Sequence, residues 1–222
     1  MRVFRFLLLL AALALAACEM DSYEKGTGGY SLLTAEFVEA HTGARGTVDY
    51  VMTDAGERLT LSPAPAPEWA SAPDTVYRAV LYYDRAGGGE VRPRALSEVP
   101  VAAVQPSASL DTVVTDPLEL ESAWLSASGR WLNLGLVLMT GEGGGSGARQ
   151  TLGLVCDSVT ASPGGVRTAH LRLYHDQGGV PEYYSAKTYV SVACGQVGAD
   201  SVVLGVETYG GTVRRAFRLS EQ

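Results

Sequence analysis

The chain has 222 residues, 46% apolar and 18% charged, enough hydrophobic surface for one or two cored domains, which excludes a disordered or collagen-like chain. Seventeen basic against 24 acidic side chains give a formal charge of −7, which argues against a surface built for phosphate backbones. Three cysteines are too few for a disulfide scaffold, and the single asparagine (Asn133) and two lysines (Lys25, Lys187) reflect a GC-rich genome more than chemistry.

Arg2 and Arg5 form a basic start, followed by twelve apolar residues at positions 6–17. A bilayer-spanning helix needs about 20, so residues 1–17 read as a signal peptide. The run ends Leu15-Ala16-Ala17-Cys18, which resembles the lipobox of a bacterial lipoprotein. That resemblance implies cleavage before Cys18, a diacylglyceryl group on its thiol and acylation of the new amine. Several acyl chains make such an anchor effectively permanent. Glu19, where retained lipoproteins carry aspartate, implies sorting to the outer membrane, and either the periplasmic or the extracellular face fits. Cleavage removes two arginines and leaves 15 basic and 24 acidic groups. Residues 18–29, ending in a Gly-Thr-Gly-Gly run, form a lipidated flexible tether.

Short β-type segments separated by turn residues follow from Tyr30. Residues 47–51 and 58–61 form a hairpin about Asp54-Ala55-Gly56. Pro63, Pro65 and Pro67 force an extended linker. Residues 76–83 alternate Val76, Arg78, Val80 and Tyr82 with Tyr77, Ala79, Leu81 and Tyr83, and end at three glycines. Residues 90–104 supply one or two more strands. About five short strands in this stretch suit a small barrel over residues 30–105, carrying six basic and ten acidic groups. Residues 32–40 and 96–101 alone could hold a turn or two of helix.

A small polar stretch with Pro106 marks the expected boundary at 105/106. Beyond it come a short strand near Trp124, then residues 130–140 with Leu132, Leu134, Leu136 and Leu138 on one face. Leu152, Leu154 and Cys156 repeat the pattern, as do Ala169, Leu171 and Leu173, then residues 188–194, 202–206 and 213–219. Seven strands at this spacing predict an antiparallel β-sandwich over residues 106–222. The whole mature protein is expected to be all-β.

Three segments carry a family resemblance: Gly-Arg-Trp-Leu-Asn-Leu at 129–134, Leu-Arg-Leu-Tyr-His-Asp-Gln-Gly-Gly at 171–179 running on through Pro-Glu-Tyr-Tyr at 181–184, and Thr-Tyr-Val-Ser-Val at 188–192. Their order resembles that of the NigD-like lipoproteins of Bacteroidota, with Val180 where those proteins usually carry an acidic residue. The resemblance spans nearly all of the mature chain and is specific in its C-terminal half. It implies an OB-like N-terminal barrel, a C-terminal sandwich and an envelope location. It implies no biochemical activity, since the family's name comes from a bacteriocin-associated operon.

Candidate site residues are few. Cys156 and Cys194 fall on core-facing positions of different strands; in an oxidising envelope they could pair, or remain buried thiols. His41, His170 and His175 lack the spacing of a metal site. His175-Asp176 could serve acid–base chemistry, but Asp176-Gln177-Gly178-Gly179 is turn chemistry in which the aspartate caps its own backbone two residues on. The glycine-rich loop at 144–148 lacks the helix of a nucleophile elbow. Tyr50, Tyr77, Tyr82 and Tyr83 could stack bases on an OB-like barrel, but the region's negative charge and the export route point away from nucleic acid.

The expectation is a non-enzymatic, outer-membrane-anchored binding or scaffold lipoprotein. Its anchor lies at Cys18, it needs no catalytic residue, metal or cofactor beyond that covalent lipid, and its partner is an envelope protein or glycan. Such a ligand would sit between barrel and sandwich or on an exposed strand edge. Two rivals stand beside it: a periplasmic hydrolase pairing Asp176 with Glu182 or Glu207, and an accessory of bacteriocin production or immunity.

Overall fold

The computed structural model describes residues 33–87 and 90–219. The segments read as signal peptide and tether, with Cys18 between them, lie outside the described residues. The fold is nearly all strand. Five strands close a barrel: β1 (Thr34–Thr42), β2 (Val48–Thr53), β3 (Arg58–Leu61), β4 (Val76–Gly87) and β5 (Glu90–Glu98), in the order β1-β2-β3-β5-β4. β4 returns antiparallel to β1, and the parallel pairing of β3 with β5 completes the cylinder. This is the five-stranded Greek-key arrangement of an OB-like barrel.

Alternation explains the barrel interior. Val38, Ala40, Val51, Leu59, Ala79, Leu81, Tyr83 and Val91 point inward and are buried. The turn at Asp54-Ala55-Gly56 reverses the chain, with the Gly56 amide donating to the Thr53 carbonyl at 2.9 Å. Gly56 has φ +86, which a glycine adopts without a Cβ penalty.

Within the region offered as a helical turn at residues 32–40, the stretch from Thr34 onward is instead β1, the strand that pairs with both β2 and β4. Its pattern is masked because Glu39, an outward position in sequence terms, is only 8% exposed. Residues 96–101 likewise hold the end of β5 and a β-bridge from Val101 to Ser191.

The remaining strands are β6 (Val104–Pro106), β7 (Glu119–Leu125), β8 (Trp131–Thr140), β9 (Thr151–Ala161), β10 (Arg167–Asp176), β11 (Tyr184–Ala193), β12 (Ser201–Thr208) and β13 (Gly211–Arg218). They form a five-stranded sheet, β13-β12-β10-β9-β6, facing a three-stranded sheet, β11-β8-β7. Leu132, Leu134, Leu136 and Leu138 of β8 meet Leu154, Leu171, Leu173, Val202 and Leu204 in one core. Interdigitated inner faces are the normal way two sheets bury their apolar sides.

Most pairings are antiparallel. β10 and β12 pair in parallel because the chain crosses to the other sheet as β11 between them, and β6 adds to β9 in parallel. Residues 114–118 wedge between the ends of β10 and β12: the Asp116 amide donates to the His175 carbonyl at 2.9 Å and the Leu118 amide to the Glu207 carbonyl at 3.2 Å. β4, β1 and the β2–β3 turn dock on the outward side of the three-stranded sheet. That leaves the outer face of the five-stranded sheet uncovered by the barrel.

Candidate functional site

The junction between barrel and sandwich is filled by the protein's own side chains. Arg78 projects outward from β4, opposite in sense to its neighbours Ala79 and Tyr77, and its side chain is fully buried. Its guanidinium donates to both carboxylate oxygens of Asp54 at 2.6 and 2.8 Å, to Ser191 Oγ at 3.2 Å and to Asn133 Oδ1 at 3.1 Å. Ser191 also donates to Asn133 Oδ1 at 2.7 Å. The rings of Trp131 and Phe37 lie 4.9 and 5.4 Å from the same guanidinium. A buried cation with bidentate and aromatic partners is satisfied in place.

Around this centre Glu39 accepts from Arg130 and from the Trp131 indole, both at 2.8 Å. Phe37 packs edge-on against Trp124 and Tyr189 at 5.3 and 5.2 Å. The junction therefore holds a satisfied network and not a vacant cleft, so the expected ligand position between barrel and sandwich is occupied by Arg78 and its partners. Sequence reading passed over Arg78; its one outward signal was an arginine inside a strand of apolar residues.

The other predicted residues are dispersed. Cys156 and Cys194 are free thiols, the unpaired one of the two readings that the sequence left open. Cys156 belongs to β9 of the larger sheet and donates to the Ser158 carbonyl at 3.6 Å. Cys194 opens a short 3-10 turn after β11 of the other sheet, and burial pushes its thiol up to about 11.

His175 is 1% exposed, on the inner face of β10. Its Nδ1 lies 2.9 Å from the Asp116 carbonyl, which can only accept, so Nδ1 carries the proton and Nε2 is buried without a partner. Asp176 Oδ1 accepts from the Gly178 amide at 2.8 Å, the self-capping turn read from the sequence. His41 stacks on Tyr50 at 4.4 Å, and its ring nitrogen Nδ1 is 3.0 Å from the Tyr50 hydroxyl. Burial holds the His41 imidazole below its ordinary value, helped by Arg130 and Arg58 and opposed by Glu39. Tyr83 lies inside the barrel, Tyr77 packs on Trp69, and Tyr82 is exposed elsewhere, so these tyrosines share no platform. Among the described residues no three His, Cys, Asp or Glu side chains converge in a metal-binding group.

The outer face of the five-stranded sheet carries a groove of about 420 Å³ over β10, β12 and β13. Strand register places Arg172, Gly205 and Arg214 in one cross-strand row. With no side chain at Gly205, the centre of this patch is bare. A Cβ there would meet only ordinary contacts, at 3.7 Å from the Leu171 carbonyl and 3.9 Å from Arg172 Cγ. Arg172 is held by Asp157 through two bonds of 2.6 Å, which raise its already high affinity for its proton. Glu207 accepts from the Thr212 hydroxyl at 2.6 Å, and His170 Nε2 sits 3.0 Å from Thr160 Oγ1. Arg214 lines the groove without an acidic partner among the described residues. The signal that could have found this site was Gly205 itself, a lone glycine inside a strand of valines and leucine.

No family model matches the sequence, and no curated protein does. Solved structures are similar over nearly the whole described fold. A NigD-like immunity protein from Bacteroides caccae aligns at a TM-score of 0.64 and 21% identity, over 83% of this chain and 96% of the other. A protein described as toxin-related, from Parabacteroides distasonis, aligns at 0.65 and 15% identity over 85% and 93%. A protein described as a lipoprotein, from Bacteroides fragilis, aligns at 0.55 and 13% over 85% and 98%. With alignments that span 83–85% of the chain and so take in both barrel and sandwich, the chain carries the fold of the NigD-like proteins, as its 129–134 and 171–192 segments indicated.

Proposed function

We propose that this protein is a lipoprotein anchored in the outer membrane through acylated Cys18, and that it acts as a non-enzymatic binding module. The observation that carries the reading is where its polar groups are spent. Asp176 caps its own turn, Glu207 is taken by Thr212, and Asp54 and Glu39 are tied to Arg78, Arg130 and Trp131. A hydrolase of the paired-carboxylate kind, such as a glycosidase, needs two carboxylates facing one substrate bond about 5–10 Å apart, and these four serve the fold instead. The sheet face remote from the barrel, by contrast, presents a preformed polar groove.

Support for the anchor comes from the Leu15-Ala16-Ala17-Cys18 sequence and from the fold's likeness to a protein described as a lipoprotein. Metabolic labelling with an alkyne fatty acid is expected to mark the wild-type chain and to miss Cys18→Ser. Labelling that survives this substitution would sink the anchor. Proteinase treatment of unbroken cells then separates an extracellular face, with digestion, from a periplasmic one, with protection. Crosslinking on the accessible side is expected to capture a glycan or protein partner. Turnover of an envelope ester, peptide or glycoside by the purified chain would overturn the non-enzymatic reading.

A further inference from the structure

We propose that the groove centred on Gly205 binds an acidic oligosaccharide, with a sugar carboxylate held between Arg172 and Arg214. The inference rests on the binding-module reading and names the ligand class for it.

Strand spacing carries the geometry. β10, β12 and β13 are consecutive in the sheet, so the two arginines of the row stand about 10 Å apart at their Cα atoms, two strand spacings of about 4.8 Å. Their side chains flank a gap where Gly205 contributes only backbone. That gap admits a carboxylate reached from both sides, which suits the planar, multi-donor guanidinium.

Arg172 is oriented in advance. Asp157 engages its Nε and Nη2, leaving Nη1 unengaged to point at a ligand. Arg214 has no competing carboxylate to release, so a ligand anion gains its charge without breaking an existing pair. Charge-assisted bonds of this type are the stronger class of hydrogen bond.

The rest of the lining fits a sugar better than a bare anion. Val203 and Gly205 give a flat floor for the C–H face of a pyranose ring, while Thr115 on the groove wall offers a hydroxyl to the ring hydroxyls. The volume, about 420 Å³, lies within the roughly 300–1,000 Å³ of small-molecule sites.

Charge complementarity is local. The chain as a whole is acidic, yet β13 carries Arg214, Arg215 and Arg218 and no acidic residue. An anion is therefore repelled by most of the surface and drawn to β13, away from Glu207 at the end of β12, a distribution that favours selective over diffuse binding.

The test is isothermal titration of the full chain in nonionic detergent with trigalacturonate, with maltotriose as the neutral comparator. Saturable binding of trigalacturonate and none of maltotriose is expected. Arg214→Gln is expected to weaken binding at least about tenfold, the loss of one charge-assisted contact. Gly205→Val puts a side chain into the slot, with a Cβ that meets only ordinary contacts, and is expected to abolish binding. Arg215→Gln removes the same charge from the same strand outside the groove and is expected to change affinity by less than about twofold. Thermal melts establish that each variant is folded, and Arg214→Gln sits on an exposed strand where folding is not at stake. The proposal is overturned by absence of trigalacturonate binding, by equal binding of maltotriose, by equal losses in Arg214→Gln and Arg215→Gln, or by a Gly205→Val chain that still binds. Failure here leaves the anchor and the capture of a protein partner untouched, so the two readings fall separately.

Discussion

Individual side chains show how one residue type can have opposite fates. Cys194 is buried, with its thiol pushed up to about 11 by loss of solvent, whereas Cys156 is only partly covered. The thiolate is the reactive form. A chromogenic disulfide reagent at pH 8 is therefore expected to modify Cys156 in the native protein and Cys194 only after denaturation. Equal rates for both would contradict the burial of Cys194. His41 gives a pH dependence of known sign. Its folded-state value lies below the ordinary 6.5, chiefly through burial, so the unfolded chain binds the proton more readily. Its contribution to stability is thus complete above pH 6.5 and is lost as pH falls below it. Chemical denaturation between pH 7.5 and 5 is expected to show this loss, and His41→Gln, which cannot take up the proton, is expected to flatten the slope.

Among the elements, the β10–β11 connection is the most demanding. Gly178 and Gly179 both have positive φ, at +56 and +73. Around Gly179 there is open space, so Gly179→Ala is expected to cost about 1–2 kcal/mol, the left-handed penalty alone. At Gly178 a Cβ would fall onto the Arg149 carbonyl oxygen, which is backbone and cannot step aside. Gly178→Ala is expected to cost about 1–3 kcal/mol more than that, because an overpacking term is added. Urea unfolding of the two variants measures the difference, and equal costs would mean that the 141–150 connection shifts freely. The aspartate-glutamine-glycine-glycine pattern made this turn legible in sequence. The contact with Arg149, on a loop nearly thirty positions earlier, is invisible there because nothing local encodes it. The same holds for β1, whose alternation is masked by Glu39, an acidic side chain that is buried only because Arg130 and Trp131 approach from the other half of the fold.

For the molecule as a whole, the Arg78 cluster is the bond between barrel and sandwich. Asp54 comes from the β2–β3 turn, Arg78 from β4, Asn133 from β8 and Ser191 from β11, so four distant stretches meet at one cation. The described residues from 34 to 219 accordingly form one compact unit. Arg78→Met is expected to lower stability by about 3–5 kcal/mol, because it leaves the Asp54 carboxylate without its buried partner. In the wild type, barrel and sandwich are expected to unfold in one transition by calorimetry. Two separated transitions in Arg78→Met would show that this cluster couples them, whereas an unchanged single transition at unchanged temperature would assign the coupling to the Phe37–Trp124–Tyr189 contacts instead. Strand content, the inward faces of β4 and β8 and the Asp176 turn could all be read along the chain, since each depends on neighbours two or three positions away. Three-dimensional packing alone decided that Arg78 is buried, that Cys156 and Cys194 stay apart, and that Arg172 and Arg214 face each other across Gly205. Those outcomes depend on which strands become neighbours in a sheet, and strand pairing is settled by long-range burial rather than by local sequence.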